Sequence, residues 1–495
     1  MQTPVIITFV AYLVFLLGIG LYFWRKNRNL EDYLLGGRGM GAWVTALSAQ
    51  ASDMSGWLLM GLPGAIYLAG LVEAWIAIGL FVGTVLNWLL VSGRLRVYTQ
   101  ATQSITLPSF LEARFADPTG LLRIFSALII LIFFTIYASS GLVAAGKLFE
   151  STFGLSYTHA VWAGGLIIVG YTFLGGFLAV CWTDLFQGLL MVLALIVVPV
   201  LAYRQVGGME AIRAAATARG ISWSLLPQGG EHPWLAIIST MAWGLGYFGQ
   251  PHILARFMSA QSVHKLRSST VIAVIWVLIS LTGAVAIGLI GIGMFGDLDT
   301  TTKEHEKVFI HMIPQVVGPW WAGVMLAAIL SAIMSTIDSQ LLVSSSALTE
   351  DFYQKVIKKE ATEKELIWMG RLGVVIISLI ALTLALHPYD SILGIVAYAW
   401  AGFGAAFGPV ILFALFSRQT TWQAALLGMV TGTVVMVVWK RTPWAATMYE
   451  IVPGFVANCL AIMVTNMLIK QNDASVQNVY DGVLLKMNGN SGDQQ

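Results

Sequence analysis

SAQASDMSGWLLMGLPG, residues Ser48 to Gly64, lies inside one long apolar run. Within it stand a carboxylate, Asp53, three glycines (Gly56, Gly61, Gly64) and Pro63. An unpaired carboxylate at mid-bilayer costs several kcal/mol, roughly 3 on insertion scales, so its default reading is functional. The competing reading is a structural polar contact between helices. Gly and Pro weaken the helix at this point and free backbone carbonyls. Irregular backbone at membrane depth is tolerated only where it is buried in protein or lines a cavity. Freed carbonyls suit a hard cation such as Na⁺, with Asp53 supplying negative potential. Broken helices of this kind build the ion and substrate sites of many secondary transporters.

The membrane reading rests on the whole chain. Of 495 residues, 57% are hydrophobic and only 11% charged, against about 25% charged in a soluble domain. Apolar runs long enough to span a bilayer, about 20 residues, recur from Pro4 almost to Lys470. The expected fold is an all-α integral membrane protein with thirteen transmembrane helices. The spans fall near 4–24, 41–70, 72–92, 122–149, 157–178, 184–203, 233–257, 269–296, 318–348, 367–387, 391–416, 420–439 and 450–470. The first run reads as a span, not a cleaved signal, because it is long and lacks a basic leader.

Cytoplasmic loops are enriched in Lys and Arg. With the N-terminus outside, inner segments hold 19 of the 27 basic residues and outer segments 8. The inner set includes Arg25, Lys26, Arg28 and Arg256. The N-terminus is therefore expected outside and the C-terminus inside. The net charge of +2 follows this topology and gives no nucleic-acid footprint. Cys181 and Cys459 suggest neither a disulfide framework nor a metal site.

Two further clusters carry chemistry. In LAAILSAIMSTIDSQLL (Leu326–Leu342), Ala332, Ser335 and Thr336 share one helix face. Their hydroxyls could complete an oxygen cage, or simply bond carbonyls one turn back. Asp338 lies on another side of that helix. In MAWGLGYFGQPHILARF (Met241–Phe257), GLGYFG matches GxGxxG, but no strand–turn–helix context supports a dinucleotide site. Its glycines and Pro251 suggest a second bent helix. Trp243, Tyr247 and Pro251, spaced i, i+4, i+8, form a face that could hold a small, partly apolar ligand or serve as packing. Tyr137 sits mid-span beside small residues. Asp184 opens a span, where helix-end placement and ion binding explain it equally well. Arg38 sits at the inner start of the broken span as an anchor or gating residue. An intramembrane enzyme would need paired carboxylates or a Ser/His or metal constellation, and there is no HExxH. A solute sensor would usually append a signalling domain, and the chain ends soon after its last span.

ALSAQASDMSGWLLMGLPGA, AWGLGYFGQPHILARFM, MSTIDSQLLVSSSALTEDFY and AYAWAGFGAAFGPV together resemble the sodium/solute symporter family, over nearly the whole chain. The resemblance implies a core of two inverted five-helix repeats with discontinuous helices, 41–203 and 233–416. Around them lie the first helix and inner loop (1–40), an outer loop (204–232), two peripheral helices (417–470) and a mobile cytoplasmic tail (471–495). It implies Na⁺-coupled uptake of L-proline by alternating access, or of another amino acid, pantothenate or a sugar, through a bacterial inner membrane, with no oligomer required. It implies a sodium site of Ala51, Met54, Ala332, Ser335 and Thr336 supported by Asp53. Ser55, Gly56, Trp57, Tyr137, Trp243, Tyr247 and Pro251 match substrate positions, and Arg38 and Asp184 match coupling positions. Two positions depart from the pattern: Asp338, where a small polar residue is usual, leaves the inner gate or a second cation site open, and Gln50 stands where glycine is common.

Overall fold

Backbone in lipid must satisfy its own hydrogen bonds, so apolar runs of this length fold as helices. The computed structural model describes residues 3–24, 30–228 and 232–489, and among these there is no strand, only an isolated bridge between Met40 and Ala260. Arg25, Lys26 and Arg28 lie outside the described residues, as does the end of the tail, 490–495.

The first half runs α1 (Thr3–Trp24), α2 (Leu30–Leu35), α3 (Ala42–Asp53), α4 (Leu62–Ala69), α5 (Ala74–Leu86), α6 (Ser92–Ala101), α7 (Leu107–Phe115), α8 (Leu121–Phe153), α9 (Tyr157–Gly175) and α10 (Phe177–Gln205). After α11 (Met209–Ala218) come α12 (Pro233–Met241), α13 (Pro251–Ser259), α14 (Val263–Met294), α15 (Val308–Val316), α16 (Pro319–Ser346), α17 (Glu363–Leu386) and α18 (Ile392–Phe416). The chain ends with α19 (Trp422–Trp439), α20 (Ile451–Leu468) and α21 (Ala474–Gly489). Among the described residues, ten helical stretches are long and apolar enough to cross a membrane.

Burial orders these helices from centre to rim. α16 and α18 are buried along most of their length, whereas α1 exposes Val10, Val14, Phe15 and Tyr22. The centre also holds the two interruptions. α3 stops at Asp53, and the chain resumes as a π-helical turn, Trp57–Gly61, before α4. Between α12 and α13 the chain winds as a 3-10 helix, Ala242–Gly249.

Close approach at the centre depends on missing side chains. A Cβ at Gly79 of α5 would lie 2.6 Å from Met241 Cα, and one at Gly83 would lie 2.5 Å from Gly244 Cα. This is a small-xxx-small contact, the usual way membrane helices bring backbones together. Gly83→Val has no flexible neighbour to displace. It should cost about 3 kcal/mol or more and remove most of the monodisperse protein seen by fluorescence size-exclusion, while Gly93→Ala should not.

The described part of the tail is helical. Ala474–Gly489 forms α21, with Val476, Tyr480 and Val483 buried. Tyr480 donates to Phe416 O at 3.0 Å, and Asp481 pairs with Arg418 at 2.8 Å. The apolar residues of α21 recur at helical spacing, a face that lies flat against the bundle, against α6.

Candidate functional site

The last carbonyls of any helix lose their intrahelical donors. At the end of α3, Met54 N–H still reaches Gln50 O at 2.9 Å, but Ser55 N–H turns to Asp53 O at 3.0 Å. Ala51 O therefore loses its own donor four residues on. Two hydroxyls from α16 reach it across the interface: Ser335 Oγ at 2.7 Å and Thr336 Oγ1 at 3.4 Å. Both hydroxyls also reach Ala332 O at 3.2 Å. The bonds to Ala332 are ordinary helix back-bonds; those to Ala51 join two spans. The four oxygens form a compact, buried cluster of carbonyls and hydroxyls, the donor set a hard cation prefers. Met54 is fully buried at the break beside them. Among the described residues no group of three His, Cys, Asp or Glu side chains offers a rival metal site.

Asp53 is fully buried, and its carboxylate is bonded to the second interrupted segment. Its Oδ2 accepts from Tyr247 OH at 2.5 Å, and its Oδ1 has no partner. Its backbone oxygen accepts from Trp57 Nε1 at 3.0 Å and from Tyr137 OH at 3.5 Å. One residue thus ties the first break to the second and to α8. Gly56 is set against α8 so closely that a Cβ would lie 2.7 Å from Ala144 Cβ. Ser55 Oγ accepts from Trp57 N–H at 3.3 Å.

The aromatic residues gather beside this knot. Trp243 lies 6.4 Å from Trp57 and 6.4 Å from Trp400, centroid to centroid. Tyr247 meets Trp400 edge-on at 5.1 Å. Trp400 Nε1 donates to Trp243 O at 2.7 Å. The expected i, i+4, i+8 face is modified, because the segment winds with three residues per turn. Trp243 and Tyr247 still both face Trp400, while Pro251 begins α13, where its missing N–H costs nothing. Tyr137 faces His252 at 6.5 Å.

Asp184 is in the second turn of α10, fully buried, and is more than a helix-end charge. Its Oδ2 accepts from Ser48 Oγ at 2.6 Å and pairs with Arg256 at 3.2 Å. Arg256 also donates to Ser48 Oγ at 3.0 Å and to Ser339 Oγ at 2.5 Å. Arg256, counted with the inner segments by charge, is fully buried and joins α3, α10, α13 and α16. Its charge stands in the last turn of an apolar span, a signal that names no partner. Breaking a buried ion pair costs about 3–5 kcal/mol because one charge is left alone. Arg256→Gln should therefore lower thermal stability of the purified protein strongly, and adding Asp184→Asn should recover part of the loss.

Asp338 faces α9, where Thr172 Oγ1 donates to its Oδ1; its Oδ2 has no partner. It is separate from the Ser335–Thr336 cluster. Arg38 donates to Ser104 O at 2.7 Å and to Met258 O at 3.3 Å, so it fastens the entry of α3 to the loop after α6 and to α13.

The sequence model of the sodium:solute symporter family matches residues 33–432. The chain is 49% identical over 481 residues to the sodium/proline symporter of Escherichia coli K12, covering 96% of this chain and 95% of that one. It is 46% identical over 464 residues to the high-affinity proline transporter of Bacillus subtilis 168, covering 94% and 98%. Its fold matches a solved Na⁺-coupled sialic acid symporter with a TM-score of 0.80 at 17% identity, covering 96% and 99% of the two chains.

Proposed function

The chain belongs to the sodium:solute symporter family, and from that premise we propose that it carries L-proline into the cell together with Na⁺ by alternating access. It is a transporter, a multi-pass protein of the plasma membrane. It crosses the bilayer thirteen times, N-terminus outside and C-terminus inside. Ten crossings are the long apolar stretches, with Trp57–Ala101 counted once for its α5–α6 part; α9 and the broken spans α3–α4 and α12–α13 make up the rest. Inner segments hold 19 basic residues against 8 outside, the expected asymmetry. Each broken span opens a run of five crossings, 41–203 and 233–416, which form the inverted repeats.

The observation that carries this reading is the Ala51 carbonyl, freed by the break in α3 and met by Ser335 and Thr336 of α16. Na⁺ binds there, replaces the hydroxyl–carbonyl bonds with ion contacts, and ties the broken span to α16. Met54 O lies at the same break and completes the set. The amino-acid carboxylate approaches the end of the segment that resumes after the break, where the helix end is positive. The ring packs among Trp57, Tyr137, Trp243 and Tyr247. Ser55 and Gly56 shape the break, and Pro251 starts the inner half of the second broken span. Arg38, Asp184 with Arg256, and Asp338 lie toward the inner side, where they couple closure to release. The driving force is the Na⁺ gradient plus a membrane potential worth about 2.3 kcal/mol per charge per 100 mV.

The test is uptake of radiolabelled L-proline into proteoliposomes with and without an inward Na⁺ gradient. Accumulation above equilibrium only with the gradient supports the reading. Equal uptake in both, with the gradient verified, refutes it.

A further inference from the structure

The loop joining α19 to α20 comes from outside the two repeats, yet it reaches the aromatic cluster. It is pinned on both sides of Tyr449. Trp439 Nε1 donates to Met448 O at 2.9 Å, and Lys440 pairs with Glu450 at 3.2 Å. Tyr449 itself makes three contacts with the core. Its backbone N–H donates to Ser239 Oγ of α12 at 2.8 Å. Its hydroxyl donates to Ala397 O of α18 at 2.6 Å. Its ring stacks on Trp243, centroids 5.4 Å apart and planes 28° apart.

These contacts close a circuit. One turn beyond Ala397, Trp400 holds the Trp243 carbonyl. Trp243 is therefore gripped at its backbone by α18 and at its ring by Tyr449, which is itself tied to α18. Exposure falls steadily along the same line: Trp444 in the loop is 65% exposed, Tyr449 is half-buried, Trp243 is 6% exposed and Asp53 is 0%. Tyr449 lies between the exposed loop and the buried aromatic cluster.

We infer that Tyr449 is a positioning residue that holds Trp243 as the outer wall of the solute pocket and thereby sets how large a ring the pocket accepts. The inference rests on the transport reading above and deepens it. Tyr449 acts through Trp243. When the loop lifts, the stack and the bond to Ala397 are lost together, and Trp243 is free to swing from the path. A five-membered ring and its six-membered homologue differ by one methylene, so a wall released by loss of Tyr449 should admit the larger ring more readily.

The experiment compares the unmodified chain with Tyr449→Phe and Tyr449→Ala in proteoliposomes. The proposal expects Tyr449→Ala to raise KM for L-proline by roughly three- to tenfold, the range an aromatic pair supports, with Vmax kept within about twofold. Tyr449→Phe, which keeps the stack, should stay close to the unmodified KM. Inhibition of proline uptake by pipecolate, the six-membered-ring homologue, should strengthen in Tyr449→Ala. An unchanged KM and unchanged pipecolate inhibition in Tyr449→Ala overturn the proposal, as does an equal loss of Vmax in both variants.

A second readout does not depend on proline being the solute. Cys181 and Cys459 are replaced by serine, and Ser55→Cys is introduced behind Trp57. Labelling by a membrane-impermeant maleimide from outside should speed up in Tyr449→Ala and not in Tyr449→Phe. Equal labelling rates overturn the proposal. Absence of Na⁺-driven proline uptake by the unmodified chain would count against the transport reading alone, because the labelling comparison still decides the role of Tyr449.

Discussion

Asp53→Ala abolishes Na⁺-driven uptake, lowering it by roughly 100-fold or more, a loss of about 2.7 kcal/mol of stabilisation. Three features of the site require an effect of this size. The carboxylate is fully buried, so its charge acts through a low dielectric. It stands two residues after Ala51 at the same break, so its charge adds negative potential around that carbonyl. It also accepts the Tyr247 hydroxyl, so its removal leaves a buried donor without a partner and loosens the tie between the two broken spans. Asp53→Asn separates these effects. The amide oxygen still accepts from Tyr247, so the tie survives while the charge is lost. Uptake in Asp53→Asn should fall about tenfold or more, mainly through a raised Na⁺ requirement. Tyr247→Phe, which keeps the charge, should lose less than Asp53→Asn. The measurement is initial uptake against Na⁺ concentration, with size-exclusion profiles confirming that each variant is folded. Near-normal Na⁺ dependence in Asp53→Ala would remove Asp53 from the ion's surroundings.

The first break was readable because it conflicts with its own neighbourhood. A charge, glycines and a proline inside an apolar run cannot form an unremarkable lipid-facing helix, so the letters themselves locate the interruption. The Ser335–Thr336 face was readable for a related reason: adjacent hydroxyls on one helix need no knowledge of the rest of the fold. What bonds them did depend on the fold, since Ala51 O is 284 positions away from Ser335. The Arg256–Asp184 pair was hidden for the same reason. Each charge alone fits a span end, and only the packing of α3, α10, α13 and α16 brings them together. Tyr449 carried still less signal. A tyrosine near a membrane boundary is ordinary, and its part in the aromatic cluster exists only because α20 lies against α18. The 3-10 winding of Ala242–Gly249 could not be read from spacing either, because Trp and Tyr at i, i+4 suggest an α-helical face. Helix α21 is a different case: its apolar residues do repeat at helical spacing, but its polar composition masked them.

Thr336→Ala raises the Na⁺ concentration for half-maximal uptake by about tenfold or more, a cost near 1.4 kcal/mol for one lost oxygen contact. The effect on proline should be small, with KM at saturating Na⁺ within about twofold. The asymmetry follows from position. Thr336 contacts Ala51 O and Ala332 O, whereas the aromatic cluster is built on Trp57, Trp243, Tyr247 and Trp400. Ser335→Ala should behave alike, because its hydroxyl contacts the same two carbonyls. Removing both hydroxyls leaves a cation only backbone oxygens at the interface of α3 and α16, and Na⁺ stimulation should vanish. Thr336→Ser restores the hydroxyl and should return the Na⁺ requirement close to its starting value, which a simple packing role for the methyl group would not allow. Reciprocity gives the stricter check. If Na⁺ at this cluster closes α3 onto α16 and so organises the pocket, saturating Na⁺ must tighten equilibrium proline binding by the same factor by which saturating proline tightens Na⁺ binding. Thr336→Ala should shift the Na⁺ needed for this linkage without changing the factor; the double variant should bring the factor to one. A double variant that still binds proline more tightly in Na⁺ would place the coupling ion elsewhere in the bundle.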